Sequence, residues 1–229
     1  MRARAYTRPL AAALAGAAAL ALGAFAAIAL GDVIIYSNPL TTHADGNELH
    51  HFEGKGKNCA RRVRKGSLII QVTGKDICGY RLPLEGDRPQ PNYAVHARVK
   101  LGKQTPKRLR KKSFVGVAIR YGGGSGYTLR LLPTRHQFAL RRLPKSSGFN
   151  VARKDSKVKG LNKWNDIRLV ANGTRIAAFV NGKKVADTTD PGATSVKGRK
   201  AEVFTGANKA NATGAFGRVD DVRLSVPSP

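Results

Sequence analysis

This chain is poor in the residues that redox, metal and acid–base chemistry draw on. Its 229 residues include 2 cysteines, 1 tryptophan, 1 methionine and 5 histidines, with 14 aspartates and glutamates against 41 lysines and arginines. Each scarcity excludes something. Cys59 and Cys78 lack C-x-x-C spacing and histidine neighbours, so a thiol redox centre or a zinc knuckle does not fit. An isolated pair of this kind forms a structural disulfide in an oxidising compartment. Glycoside cleavage uses two carboxyls roughly 5 to 9.5 Å apart, yet the only glutamates, Glu48, Glu53, Glu85 and Glu202, are scattered. Asp220 and Asp221 are adjacent, and neighbours in a strand point to opposite faces. The same divergence argues against a metal at His50-His51-Phe52-Glu53, which reads as a solvated loop, and no HExxH is present. Gly122 to Gly126 has neither a following helix nor the Lys-Ser/Thr of a phosphate cradle, so it reads as a hairpin turn. No signature of a nucleophilic triad is found. Neither a metal nor a cofactor is expected.

What the chain does have begins at its N-terminus. Arg2, Arg4 and Arg8 precede a stretch from Leu10 to Leu30 that carries no charge and is almost entirely Ala, Leu and Gly. This apolar helix is either a secretory signal, with small-residue cleavage patterns at Ala24-Phe25-Ala26 and Ala27-Ile28-Ala29, or an uncleaved anchor that tethers the chain to a membrane. Both place the rest of the chain outside the cytoplasm. The organisation expected is an export segment over 1–30, a linker or edge segment over 31–51, one domain over 52–226 and a short tail, 227–229. The formal charge of +27 remains strongly positive without the three leading arginines. A field of that sign draws acidic polymers, anionic headgroups or nucleic acid, and it also keeps a protein soluble with no specific partner.

Short alternating segments fill the domain. In Tyr93 to Leu101, Val95, Ala97, Val99 and Leu101 fall on one face and His96, Arg98 and Lys100 on the other, the two-residue period of a half-buried strand. Trp164–Ala171, Thr174–Val180 and Lys183–Asp187 are separated by Asn172-Gly173 and Asn181-Gly182. Asn-Gly between apolar alternations signals a two-residue type I′ hairpin turn, so three consecutive strands form a meander. With roughly eleven such strands and no other helix, the fold expected is all-β: a two-sheet antiparallel β-sandwich of the jelly-roll kind.

The order of motifs resembles a concanavalin A-like jelly roll. It runs from Gly66-Ser67-Leu68-Ile69-Ile70 through Tyr93 to Leu101, the glycine turn with Gly126-Tyr127, Trp164-Asn165 with Arg168, and Val180-Asn181-Gly182 with Val185 and Asp190, to Phe216 and Val219 to Leu224. The resemblance is greatest to laminin-G-like domains and to the bacterial 3-keto-disaccharide hydrolase family, and covers about residues 50 to 226. It implies the fold and makes Trp164, Asn181 and Gly182 scaffold residues first, but the branches sharing this meander include enzymes, glycan binders and adhesive modules. The clustered Glu-x-Asp-x-x-Glu strand of retaining glucanases is absent.

The remaining signal is on the faces turned away from the core. Arg98 and Lys100 share one with His96, Arg120 shares one with Gly116 and Ala118, and Arg130 with Thr128. Arginines beside small residues leave room for a groove suited to carboxylate, sulfate or phosphate oxygens, so Arg98, Lys100, Arg120 and Arg130 are the candidate ligand-binding residues. The run Lys107 to Lys112 is read as a solvated cationic loop. The function expected is an exported, non-enzymatic domain that binds glycan or another anionic envelope polymer. The alternative is a hydrolase of the 3-keto-disaccharide type. Export and the lack of a nucleic-acid motif argue against nucleic acid as partner.

Overall fold

A computed structural model describes residues 32–42, 44–45, 49–51, 59–74, 77–83, 92–122, 124–144, 149–193, 196, 198–208 and 212–227. The N-terminal apolar stretch, with its expected helix and cleavage patterns, lies outside the described residues. Among the described residues the chain is an antiparallel sandwich of two sheets. The first runs in the order β13 (Lys183–Thr189), β12 (Arg175–Val180), β11 (Asn165–Asn172), β6 (Tyr93–Leu101), β15 (Phe216–Val226), β4 (Leu68–Val72) and β3 (Cys59–Val63), with β1 (Val33–Asn38) paired to β15. The second runs β10 (Val151–Lys154), β9 (Gln137–Leu143), β8 (Ser125–Leu132), β7 (Ser113–Gly122), β14 (Lys200–Ala207), β5 (Cys78–Arg81) and β2 (His50–His51). No helix among the described residues is long and apolar enough to cross a membrane.

The two-residue period places the core where the alternation in β6 predicts. Val95, Ala97, Val99 and Leu101 are fully buried and pack in one cluster with Val115, Val117 and Ile119 of β7, Tyr127, Leu129 and Leu131 of β8, and Val203 of β14. Burying side chains of this size contributes about 1.5–3 kcal/mol each. His96, Arg98 and Lys100 remain partly exposed on the opposite face.

Polar and covalent ties cross between the layers. Cys59 on β3 and Cys78 on β5 are disulfide-bonded, with Cα atoms 5.4 Å apart. The bond joins the edge of the first sheet to the second. The Tyr93 hydroxyl accepts the Arg120 backbone N–H on β7 and donates to the Lys200 carbonyl at 3.2 Å. The Tyr127 hydroxyl donates to Asp190 at 2.7 Å, and Arg142 donates to the other Asp190 oxygen at 3.1 Å.

The meander forms as expected, with one shift. Asn181 and Gly182 have φ of 49° and 77°, as a type I′ turn requires. In the first hairpin Asn172 pairs with Arg175, so the loop is Gly173-Thr174, and only Gly173 takes positive φ. The slip is two residues and leaves every side chain on its intended face. Asn92 Oδ1 accepts the Gly173 N–H at 2.7 Å and helps hold the turn there. Asn181 has a wider role. Its Oδ1 accepts the Asp166 N–H at 2.9 Å, and its Nδ2 donates to the Lys157 carbonyl at 2.6 Å and to Asn165 Oδ1 at 3.1 Å.

Some elements carried no clear periodic signal. His50–His51, read as a loop, is a short strand whose backbone pairs with Arg81 and Tyr80. Lys107–Arg110 is a single helical turn inside the cationic loop. Leu109 is buried beneath it, and Arg110 donates to the carbonyls of Thr105 and Lys103 at 2.9 and 2.7 Å.

Two measurements check these ties. Replacing both Cys59 and Cys78 with Ser removes a cross-link over a separation of 19 residues and is expected to lower stability by roughly 3 kcal/mol in urea denaturation. Asn181→Ala breaks the turn network and leaves a Cβ-bearing residue at positive φ without its local hydrogen bonds. A loss of about 2–3 kcal/mol is expected, with Asn181→Gly losing less because its backbone tolerates the conformation.

Candidate functional site

The outer face of the second sheet carries the candidate site. Phe114, Ala118, Leu132 and Phe204 form a second apolar cluster there, 0–4 % exposed, with Ile77 and Tyr121 packed against it. Strand register arranges it in rows. Arg130 lies opposite Gly116 on one neighbour and Ala139 on the other, and Gly116 lies opposite Phe204. One step along, Arg141, Thr128, Ala118, Glu202 and Arg81 follow in register across five strands. Glycine and alanine at the centre of these rows leave room for the long side chains beside them.

Arg130 is 8 % exposed, with its guanidinium carbon 4.7 Å from the Phe114 ring centre and 6.0 Å from that of Phe204. The two rings meet edge to face at 5.9 Å. Burial pushes the Arg130 pKa down to about 10, with repulsion from Arg141 adding to it. Neither Arg130 Nε nor Thr128 Oγ1, both buried, has a hydrogen-bond partner among the described residues. An unmet buried donor of this kind costs about 1–3 kcal/mol, more when charged, and a ligand oxygen would relieve it. Glu202, 2 % exposed, holds its carboxylate 3.6 Å from Arg81 Nε. Burial and the Glu202 charge raise the Tyr121 pKa, while Arg130 and Arg81 oppose the rise, so one phenol senses all three groups.

The four arginine and lysine candidates are not brought together. Arg130 is in the site just described, on the face with Thr128 that alternation predicts. Arg120 is taken out of that alternation by a bulge between Ile119 and Gly122, where its own φ is 47°, and its charge acts on the core-facing phenols of Tyr93 and Tyr127. Arg98 and Lys100 lie across the sandwich on the outer face of the first sheet. Arg98 donates to Asp220 at 3.1 Å, and the Arg98 guanidinium and Lys100 ammonium lie 5.3 and 4.5 Å from the Trp164 ring centre. Trp164 is accordingly a partly exposed residue on that outer face, outside the core cluster. Asn181 and Gly182 are scaffold, as their turn shows.

Sequence reasoning missed Glu202. The available signal was local: in Lys200–Ala207 the inward residues are Ala201, Val203 and Thr205, and a glutamate alternates with Phe204 and Gly206 on a strand buried along almost its whole length. Chemically, one carboxylate, one phenol and several guanidinium groups can bind an anionic or hydroxylated ligand, or move a single proton beside a stabilised anion. Glu48, Glu53 and Glu85 lie outside the described residues. Asp190 is buried with its carboxylate engaged by Tyr127, Arg142 and the Gly192 N–H. Among the described residues no three His, Cys, Asp or Glu side chains are placed to hold a metal ion.

Comparison with known proteins gives a family and a fold. Residues 39–217 match the family model of the 3-keto-alpha-glucoside-1,2-lyase-like domain. No curated protein matches the sequence. Among solved structures, the carbohydrate binding module CBM66 from Bacillus subtilis aligns over 78 % of this chain and 95 % of its own at 11 % identity and a TM-score of 0.52. The endo-beta-1,3-glucanase from Pyrococcus furiosus aligns over 85 % and 94 % at 12 % identity and 0.59. The laminarinase from Flavobacterium sp. UMI-01 aligns over 84 % and 99 % at 10 % identity and 0.57. At such identities these likenesses concern the fold, a concanavalin A-like jelly roll.

Proposed function

We propose, from the premise that this chain belongs to the 3-keto-alpha-glucoside-1,2-lyase-like domain family, that it is an exported domain that binds glycan on the outer face of its second sheet. One observation carries the reading: the buried Arg130 guanidinium over Phe114 and Phe204, whose Nε, like the Thr128 hydroxyl on the same face, has no hydrogen-bond partner among the described residues. A guanidinium fork held over buried rings suits a carboxylate or another anionic substituent, and the neighbouring threonine hydroxyl suits a sugar oxygen. The preferred ligand is therefore a saccharide bearing an anionic group, as an acidic envelope polymer does. The disulfide between Cys59 and Cys78 supports an oxidising, extracytoplasmic location.

A second reading is cleavage of a 3-keto-glycoside, and Glu202 favours it. A buried carboxylate with Tyr121 and Arg81 beside it supports a role in taking or returning one proton, with Arg130 as the group that would stabilise a developing oxyanion. Binding alone asks nothing of Glu202 as a base.

The two readings separate in one experiment. A glycan array probed with the purified exported domain identifies a ligand, and Arg130→Met is expected to weaken its binding by about tenfold or more, the value of a charge-assisted hydrogen bond, with thermal unfolding as the check on folding. If the domain only binds, Glu202→Gln retains affinity and incubation with a 3-keto-disaccharide releases no monosaccharide. Release that stops in Glu202→Gln while binding persists establishes the catalytic reading. Unchanged affinity in a folded Arg130→Met variant removes the site from both.

A further inference from the structure

A second charged feature lies on the opposite side of the sandwich, and strand register defines it. On the outer face of the first sheet Arg62 pairs with Ile69, Ile69 with Arg218, and Arg218 with Lys100. Trp164 ends the row, its ring centre 4.5 Å from Lys100 Nζ. The row crosses β3, β4, β15 and β6, about 14 Å at the usual strand spacing, and holds three cations, an aliphatic side chain and an indole, with no carboxylate. Like charges directly opposite one another destabilise a sheet, as Arg218 and Lys100 are. Burial, with repulsion from Arg218 and Arg98, lowers the Lys100 pKa. Arg218 is held in place by hydrogen bonds to Ser67 Oγ at 2.9 Å and the Arg64 carbonyl at 2.8 Å.

The rows on either side confine this charge to a stripe. Two residues along the strands in one direction, outward positions on β15, β6 and β11 are Asp220, Arg98 and Asp166, in register, and the exposed Arg64 follows the end of β3. Asp220 is bonded to Arg98 at 3.1 Å and Asp166 to His96 at 2.7 Å. In the other direction they are Ala60, Gln71 and Phe216, all uncharged. Where it crosses β15 and β6 the cationic strip is thus one row wide, with each flanking row about 7 Å from it. A membrane plane or a nucleic-acid duplex laid on this face would press its anions against Asp220 and Asp166. A single anionic chain lying across the strands would not.

We propose that the row Arg62, Arg218, Lys100 and Trp164 binds one chain of an acidic polysaccharide, its carboxylate or sulfate groups on the cations and a sugar ring against Trp164 and Ile69. This site stands apart from the Arg130 site and does not require it.

Trp164, the one tryptophan of the chain, reports occupancy directly. Polygalacturonate and dextran sulfate are titrated into the exported domain while tryptophan emission is followed, with neutral dextran as control. A saturable emission change is expected for the two acidic polymers and none for neutral dextran. Arg62→Gln with Lys100→Gln is expected to weaken binding about tenfold, and Arg62→Lys with Lys100→Arg to restore most of it. Lys111→Gln with Lys112→Gln removes the same charge from the cationic loop and should change affinity less than about twofold, by screened attraction alone. Arg130→Met should leave the emission titration unchanged, which separates this site from the second-sheet site. Equal losses in the row and loop variants, or binding with no change in Trp164 emission, overturn the proposal. So does a stronger row-dependent emission change with phosphatidylglycerol vesicles or an oligonucleotide.

Discussion

The domain depends on two apolar sheet faces closing on one another. Val95, Val99 and Leu101 from one layer and Val117, Leu129 and Leu131 from the other are all fully buried in one cluster. Because side chains alternate along a strand, closing these inner faces also dictates what every intervening residue presents outward. The rows of arginines, lysines and acids on the outer faces are thus a consequence of the core, and their order follows from which strand lies next to which.

The two outer faces meet this constraint differently. On the first sheet most outward charges are compensated side by side: His96 with Asp166, Arg98 with Asp220, Arg223 with Asp221, and Asp187 with both Arg175 and Lys184. The Arg175 and Lys184 hydrogen bonds hold the Asp187 carboxyl well below its ordinary pKa. The large positive charge of the chain is therefore patterned there, with an ion-paired row and an uncharged row on either side of the row of Arg62, Arg218 and Lys100. On the second sheet the centre of the outward face is itself buried, and Arg130 there meets aromatic rings in place of water. Arg130 over Phe114 and Phe204 keeps its charge in surroundings that disfavour it, a preorganised arrangement of the kind a recognition site uses.

Fold and site were legible to different depths. The meander, the burial pattern of Tyr93–Leu101 and the shared face of Arg130 and Thr128 follow from local periodicity and turn chemistry, and all are present in the structure. Alternation failed at Arg120, because the bulge between Ile119 and Gly122 adds a residue whose effect on direction no hydrophobic pattern announces. Glu202 was passed over for a different reason. A search for carboxylate pairs along the chain does not reach it, because its partners Arg81 and Tyr121 come from strands distant in sequence.

By itself the sequence determined the class of fold, the two-residue faces of its strands, the tight turn at Asn181-Gly182 and the pairing of its two cysteines, since each rests on neighbours in the chain or on a choice with one member. The tertiary structure alone decided that β15 lies between β6 and β4, and β14 between β7 and β5. Those adjacencies join segments far apart in sequence, where loop closure leaves many pairings open and only mutual burial selects one. They set Arg218 beside Lys100 and Glu202 beside Arg81, and separate Arg98 and Lys100 from Arg130 by the full thickness of the sandwich.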